Sequence, residues 1–229
     1  MTMQTNSLSP KKIKIIFLPM LIIFLLFLEI VTVKKILGVY YKKNAPEITQ
    51  NIDKYKNLLE KSISLDPLYG AAKLSLSNIY ITIGDFYKAE EQIFKALEVY
   101  NIGCGGYKQL GSIYLKTSQI NKARENFEKA LILFPDKPEI LEYLSLIDIM
   151  EKEYKKALPK LEKATKEDPL RPNSYYMMGQ IFEKHFKNIP LAIDYYIRAL
   201  DSSLKFKEGL FFSQSDLNSR INILIQNLK

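Results

Sequence analysis

Two hydrophobic patterns divide the chain. Between Ile15 and Val33 the residues are apolar almost without interruption, whereas from Glu47 onward apolar positions recur at helical spacing with polar residues between them. The first pattern has the length of a membrane span, since nineteen residues at the helical rise cover roughly 28 Å, close to the hydrocarbon thickness of a bilayer. Lys11, Lys12 and Lys14 precede it and Lys34 and Lys35 follow it, where headgroups would meet them. Glu29 is the one ionisable residue inside. About fifteen apolar residues at roughly −0.4 kcal/mol each outweigh a carboxylate cost of about 3 kcal/mol or less. Pro19 lies in the first turns of the span, where a helix tolerates it. The residues after Glu29 carry no small-residue cleavage pattern. These features predict a short basic N-terminus (1–14), an uncleaved transmembrane helix (15–33) and a juxtamembrane linker or helix continuation (34–46).

The second pattern is a repeat. Ala89, Ala123 and Ala157 stand 34 residues apart, and Ala192 follows after 35. Ala96, Ala130, Ala164 and Ala199 keep the same intervals. Leu76, Leu110, Leu144 and Met178 form a third column, followed directly by the small residues Ser77, Gly111, Ser145 and Gly179. Tyr80, Tyr114, Asp148 and Phe182 come three further on; Asp148 stands where the others are aromatic, and is expected to weaken the packing of its unit or to meet a partner. Asp66-Pro67, Phe134-Pro135 and Asp168-Pro169 mark unit ends. Each unit holds two apolar helical stripes joined by a short polar turn such as Gly84-Asp85 or Ser118-Gln119. Such a unit cannot bury its apolar face alone, so neighbours must stack. Small residues would let the two helices of a unit approach, and proline after the second would stop it.

The unit bearing Tyr107, Leu110, Gly111, Tyr114, Ala123, Phe127, Ala130 and Pro135 resembles the tetratricopeptide repeat (TPR). Leu141, Leu144, Ala157, Leu161, Ala164 and Pro169 follow the same pattern, as do Tyr175, Met178, Gly179, Phe182, Ala192, Tyr196 and Ala199. The unit at 70–103 is looser, with Lys73 in an aromatic position and Asn101 in that of the proline. The resemblance covers about residues 47–206 and implies an all-α fold. That fold is a right-handed superhelical TPR solenoid of about four to five helix-turn-helix units. The expected divisions are a partial TPR at 47–69, TPRs at 70–103, 104–137 and 138–171, a TPR with a one-residue insertion at 172–206, and a C-terminal capping helix within 207–229. Ser215 is placed to cap that helix, and Leu217, Ile221, Leu224, Ile225 and Leu228 give its stripe. Glu47–Leu65 matches only a second helix, so its partner would fall near Ile36–Lys43, as a continuation of the membrane helix.

Charge and chemistry narrow the function. The net charge is +8, but residues 1–44 carry +6 of it on seven lysines and Glu29, so the repeats lack the basic face that nucleic acid requires. Cys104 is the single cysteine and excludes an intramolecular disulfide. His185 is the single histidine and has no second ligand or relay partner in the pattern. Gly103-Cys-Gly-Gly106 lacks the preceding strand and the closing lysine of a phosphate loop, and reads as a flexible inter-repeat turn. No catalytic constellation, metal spacing, cofactor motif or small-molecule site is evident.

The TPR resemblance implies that first helices line a concave protein-binding groove. By position this comprises Leu74, Asn78 and Ile81, then Lys108, Ser112 and Leu115, then Glu142, Tyr143, Leu146 and Ile149, then Tyr176, Met177 and Gln180. Glu139 and Tyr143 stand where a carboxylate clamp would need basic groups, so no such clamp is expected. The expected partners are other proteins, through a peptide segment or helix in the groove, and a membrane through residues 15–33. The expected function is a non-catalytic scaffold or adaptor in assembling a membrane-associated complex, or else a permanent structural subunit of one. A single N-terminal anchor commonly leaves a long C-terminal part outside, so the repeats are expected on the extracytoplasmic side of a bacterial inner membrane.

Overall fold

The structure is a computed structural model and describes residues 24–25, 27–39, 52–99, 103–204 and 210–228. Among these residues every regular element is a helix. The chain forms two compact units, Met1–Tyr100 and Asn101–Lys229. The first holds α1 (27–39), α2 (Ile52–Leu65), α3 (Gly70–Thr82) and α4 (Phe86–Leu97). The second holds α5 (Gly103–Lys116), α6 (Ile120–Leu133), α7 (Pro138–Met150), α8 (Tyr154–Glu167), α9 (Pro172–Lys184), α10 (Ile189–Ser203) and α11 (Gln214–Gln226). Helices pack mainly against their sequence neighbours, most extensively α3 with α4, α5 with α6, α7 with α8 and α9 with α10. The result is a TPR-like all-helical repeat, as expected of stacked helix pairs.

The alanine columns explain the close pairing. Ala89, Ala96, Ala123, Ala130, Ala157, Ala164, Ala192 and Ala199 are all completely buried. The small-residue column has a more specific role. A Cβ on Gly111 would lie 2.7 Å from the Phe127 ring, and one on Gly179 would lie 2.5 Å from the Tyr196 ring. Where the column holds serine instead, at Ser77 and Ser145, the second helix carries Ile93 and Leu161 at the corresponding positions, all four buried. Glycine thus accompanies a flat aromatic and serine an aliphatic, keeping the volume between paired helices nearly constant.

The turn inside each pair repeats with the same period. Gly84, Ser118, Lys152 and Lys187 all have positive φ, between 54° and 81°. The next residue donates its backbone N–H back to the column of Tyr80, Tyr114, Asp148 and Phe182: Asp85 to Tyr80 O at 2.9 Å, Gln119 to Tyr114 O at 2.8 Å, Glu153 to Asp148 O at 2.7 Å, and Asn188 to Phe182 O at 2.9 Å. The first three bonds span five residues and the last spans six. The 35-residue interval is therefore absorbed within the turn at 185–187, and both helices stay in register. Asp85 and Asn188 also cap the following helix, accepting from the backbone N–H of Lys88 and Leu191. Because a side chain is strained at positive φ, Lys152→Gly is expected to stabilise the second unit by about 1 kcal/mol. Chemical denaturation should show the gain, whereas Gly84→Lys should show a loss of similar size.

Two expectations are corrected. Gly103-Cys-Gly-Gly106 is not an inter-repeat turn but the first turn of α5, where Gly103 abuts the Leu133 side chain on α6. Asp148, expected to weaken packing or to meet a partner, is fully buried between two cations. Arg124 Nη1 lies 2.8 Å from one carboxylate oxygen and Lys160 Nζ 2.6 Å from the other. Asp148 thereby ties α6, α7 and α8 together, and Arg124 extends the network to Glu151 at 2.6 Å.

About half of the expected membrane span at 15–33, residues 15–23 and 26, lies outside the described residues. Among them, no helix is long and apolar enough to cross a membrane. The described part, 24–25 and 27–33, is helical and runs on to residue 39. Phe24, Phe27, Ile30 and Val33 on it are more than half exposed. At its far end the Gly38 carbonyl accepts from Ser62 Oγ at 2.7 Å, so α1 packs directly on α2.

Candidate functional site

The helices place the expected groove residues as follows. In the first unit Leu74 and Ile81 are half-buried and Asn78 is exposed. In the second, Lys108, Ser112 and Leu115 on α5, Tyr143, Leu146 and Ile149 on α7, and Tyr176 and Gln180 on α9 are half-buried. Glu142 and Met177, each 2% exposed, lie in the interior. Met177 belongs to a core cluster with Ala157, Leu161, Met178 and Ile181. Glu142 is held by Arg171 and accepts from Ser174 Oγ at 2.7 Å. A buried carboxylate requires such compensation.

Along this face the charges neutralise one another. Lys108 Nζ lies 3.1 Å from both oxygens of Glu139, and Arg171 is engaged by Glu142. The apolar and aromatic groups are braced from behind. Tyr143 stacks on Phe127 with ring centroids 4.7 Å apart. Burial, and then the Glu139 charge, push the Tyr143 phenol up, so it stays protonated at neutral pH. Tyr176 accepts from Gln180 Nε2 at 2.9 Å and stacks on Phe212 at 4.8 Å. The face offers hydroxyls, an amide and half-buried apolar side chains. Among the described residues no group of three or more His, Cys, Asp or Glu could hold a metal ion. His185 stacks on Tyr154 at 4.2 Å and packs edge-on against Phe186.

The C-terminal segment forms a cavity that sequence reasoning missed. α11 starts after Ser213, whose hydroxyl accepts from the Asp216 backbone N–H, so Ser213 takes the capping place expected of Ser215. Leu217, Ile221 and Leu224 are buried against a cluster with Ala192, Ile193, Tyr196 and Ala199. Ile225 and Leu228, expected in the same stripe, are exposed. Between α9, α10 and α11 a cavity of about 440 Å³ opens, walled by Tyr176, Phe211, Phe212 and Leu217. Its floor is Glu183, which is paired with Arg220 and accepts from Tyr196 Oη at 2.7 Å. Phe211 is positioned by Asn173, whose Oδ1 accepts its backbone N–H at 2.9 Å. No sequence signal marks Phe211, Phe212 or Arg220, because they lie outside the repeat register.

Glu183 makes this end of the molecule pH-sensitive. Burial alone would raise its carboxyl, but the hydrogen bonds from Arg220 and Tyr196 outweigh that and hold it below the ordinary glutamate range. The stabilisation is therefore complete above the unfolded value of about 4.3 and is lost as pH falls through the lower folded value. Hydrogen exchange of α11 is expected to accelerate as pH drops below that range, relative to the intrinsic rate. Glu183→Gln should flatten this acid dependence.

Comparisons with known proteins agree with this architecture. Residues 107–137 match the family model described as Tetratricopeptide repeat. The chain is similar to the BBSome complex member BBS4 of Bos taurus, at 30% identity over 111 residues, which is 48% of this chain and 21% of that protein. It thus spans about a fifth of that relative's length. Among solved structures it is similar to Pseudomonas aeruginosa PilF, with a TM-score of 0.63 and 18% identity over 87% of this chain and 92% of that one. It is also similar to YrrB, described as a TPR protein with an unusual peptide-binding site, with a TM-score of 0.52 and 19% identity over 72% and 86%. Residues 107–137 thus match a tetratricopeptide repeat, and the paired helices around them have a fold similar to that of these solved structures.

Proposed function

We propose that this chain is a non-catalytic, membrane-anchored TPR scaffold that takes a peptide segment or helix of another protein on its first-helix face and organises a membrane-associated complex. The observation that carries the reading is that face itself. Leu115, Tyr143, Leu146 and Tyr176 remain half-buried while the neighbouring cations Lys108 and Arg171 are neutralised within the chain. Such a surface binds by inserting apolar side chains rather than by clamping a terminal carboxylate. YrrB supplies a peptide-binding precedent on the same fold. The anchor is supported by the unbroken apolar run at 15–33 and by the exposed apolar side chains of α1, since a helix apolar on all sides requires lipid or protein around it. The Gly38–Ser62 contact would leave little free linker between the anchor and the first repeat. Exposed Ile132, Leu133 and Phe134 at the end of α6 favour a second reading, a permanent subunit buried in an obligate interface.

Purification of the full-length chain from native membranes in mild detergent tests both readings. Leu115→Glu is expected to reduce recovery of the partner roughly tenfold while the thermal melt stays close to the parent. Partner recovery that is unaffected by Leu115→Glu would refute the groove. A companion at fixed stoichiometry that survives high salt would identify a permanent subunit, and salt-sensitive, substoichiometric recovery would identify an adaptor. Protease digestion of intact spheroplasts tests the extracytoplasmic placement, which protection of the repeats would refute.

A further inference from the structure

We propose that the cavity between α9 and α11 is the anchoring subsite of the groove and takes an aromatic side chain of the partner protein flanked by acidic residues. This rests on the groove reading above. The walls are aromatic and aligned: Tyr176 and Phe212 stack at 4.8 Å, 28° apart, and Phe211 is fixed through Asn173. A volume of about 440 Å³ accommodates one large ring together with adjoining main chain. The floor presents no uncompensated charge, because Glu183 is engaged from two sides by Arg220 and Tyr196. A ring can therefore enter without stranding a buried ion.

Electrostatics selects the neighbours of that ring. Elsewhere on this face the cations are already paired, Lys108 with Glu139 and Arg171 with Glu142. The rim of the cavity differs. Lys184 is exposed and makes no ion pair among the described residues. Arg220 contacts Glu183 through one terminal nitrogen and keeps 48% of its side chain exposed, which leaves donors of the guanidinium fork facing the opening. Asp216, the acid on the rim, lies in the first turn of α11, where the helix N-terminus partly compensates it. A carboxylate beside the inserted ring would meet the Lys184 ammonium and the Arg220 donors that Glu183 does not use.

The chain contains no tryptophan, so a tryptophan-bearing peptide reports its own insertion. The probe is a capped peptide with one tryptophan between two glutamates, titrated against the full chain in detergent. A saturable blue shift of its emission is expected. The analogue with glutamines in place of the glutamates is expected to bind roughly three- to tenfold more weakly. Lys184→Gln, a surface change, should weaken the glutamate peptide by a similar factor and leave the glutamine peptide unchanged. No blue shift, or equal binding of the two peptides that ignores Lys184→Gln, would overturn the subsite. The native partner separates the two levels. If Leu115→Glu loses it while Lys184→Gln and Phe212→Ala both retain it, the subsite falls and the groove stands. If all three variants retain the partner and the peptide does not bind, both fall.

Discussion

Deleting Asp216–Lys229 is expected to unfold the last helix pair while leaving the preceding ones protected. The deletion uncovers the surface now buried beneath Leu217, Ile221 and Leu224. At about 2 kcal/mol for each buried aliphatic side chain, roughly 6 kcal/mol is lost. It also removes Arg220 and leaves the buried carboxylate of Glu183 with only the Tyr196 hydroxyl, adding about 3 kcal/mol. A loss of that size exceeds what one terminal repeat retains in a linear array, where each unit is stabilised mainly by its neighbours. Hydrogen exchange should show α9 and α10 unprotected and α5 to α8 close to the parent. Thermal stability equal to that of the parent would rule out α11 as the cap.

Arg171→Ala is expected to cost about 3 to 4 kcal/mol, because the Glu142 carboxylate would remain in the interior with Ser174 as its one described partner. Arg171 opens α9 as its N-cap residue and reaches Glu142 on α7, so it fastens the first helices of successive pairs to each other. If this charge is the cause, removing both partners should restore most of the loss. Arg171→Leu combined with Glu142→Leu is expected to return to within about 1 kcal/mol of the parent, as measured by denaturant unfolding of the second unit. A double variant as unstable as Arg171→Ala would show instead that the packing of the arginine stem matters. Since Tyr143 is adjacent to Glu142, partner binding in the double variant separates the fold from the groove.

Sequence reading reached far in the repeats because their information is periodic. The alanine columns and the small residues before Tyr80, Tyr114, Asp148 and Phe182 have one spacing, and each is set by contact within a pair of helices adjacent in the chain. Local contacts of that kind leave a local signature. The same reading mistook Gly103-Cys-Gly-Gly106 for a turn, since glycines weigh against helix by propensity while packing of α5 on α6 overrides it. For Asp148 the periodicity showed a departure but not its cause. Arg124 and Lys160 lie 24 and 12 residues away on other helices, and no column pairs them.

The sequence alone therefore determined the helical repeat, its period, the position of the inserted residue and the apolar segment at 15–33. Each of these depends on spacing along the chain, and helical periodicity records that spacing directly. Tertiary structure decided which of the expected groove positions are accessible: Leu115, Tyr143 and Tyr176 stay half-buried while Glu142 and Met177 are enclosed. It also decided that the turns use positive φ at Ser118, Lys152 and Lys187, and that Phe211, Phe212 and Arg220 come together with Tyr176 around one cavity. Exposure, buried charge pairing and cavity walls are set by residues that are distant in sequence and brought together only by packing.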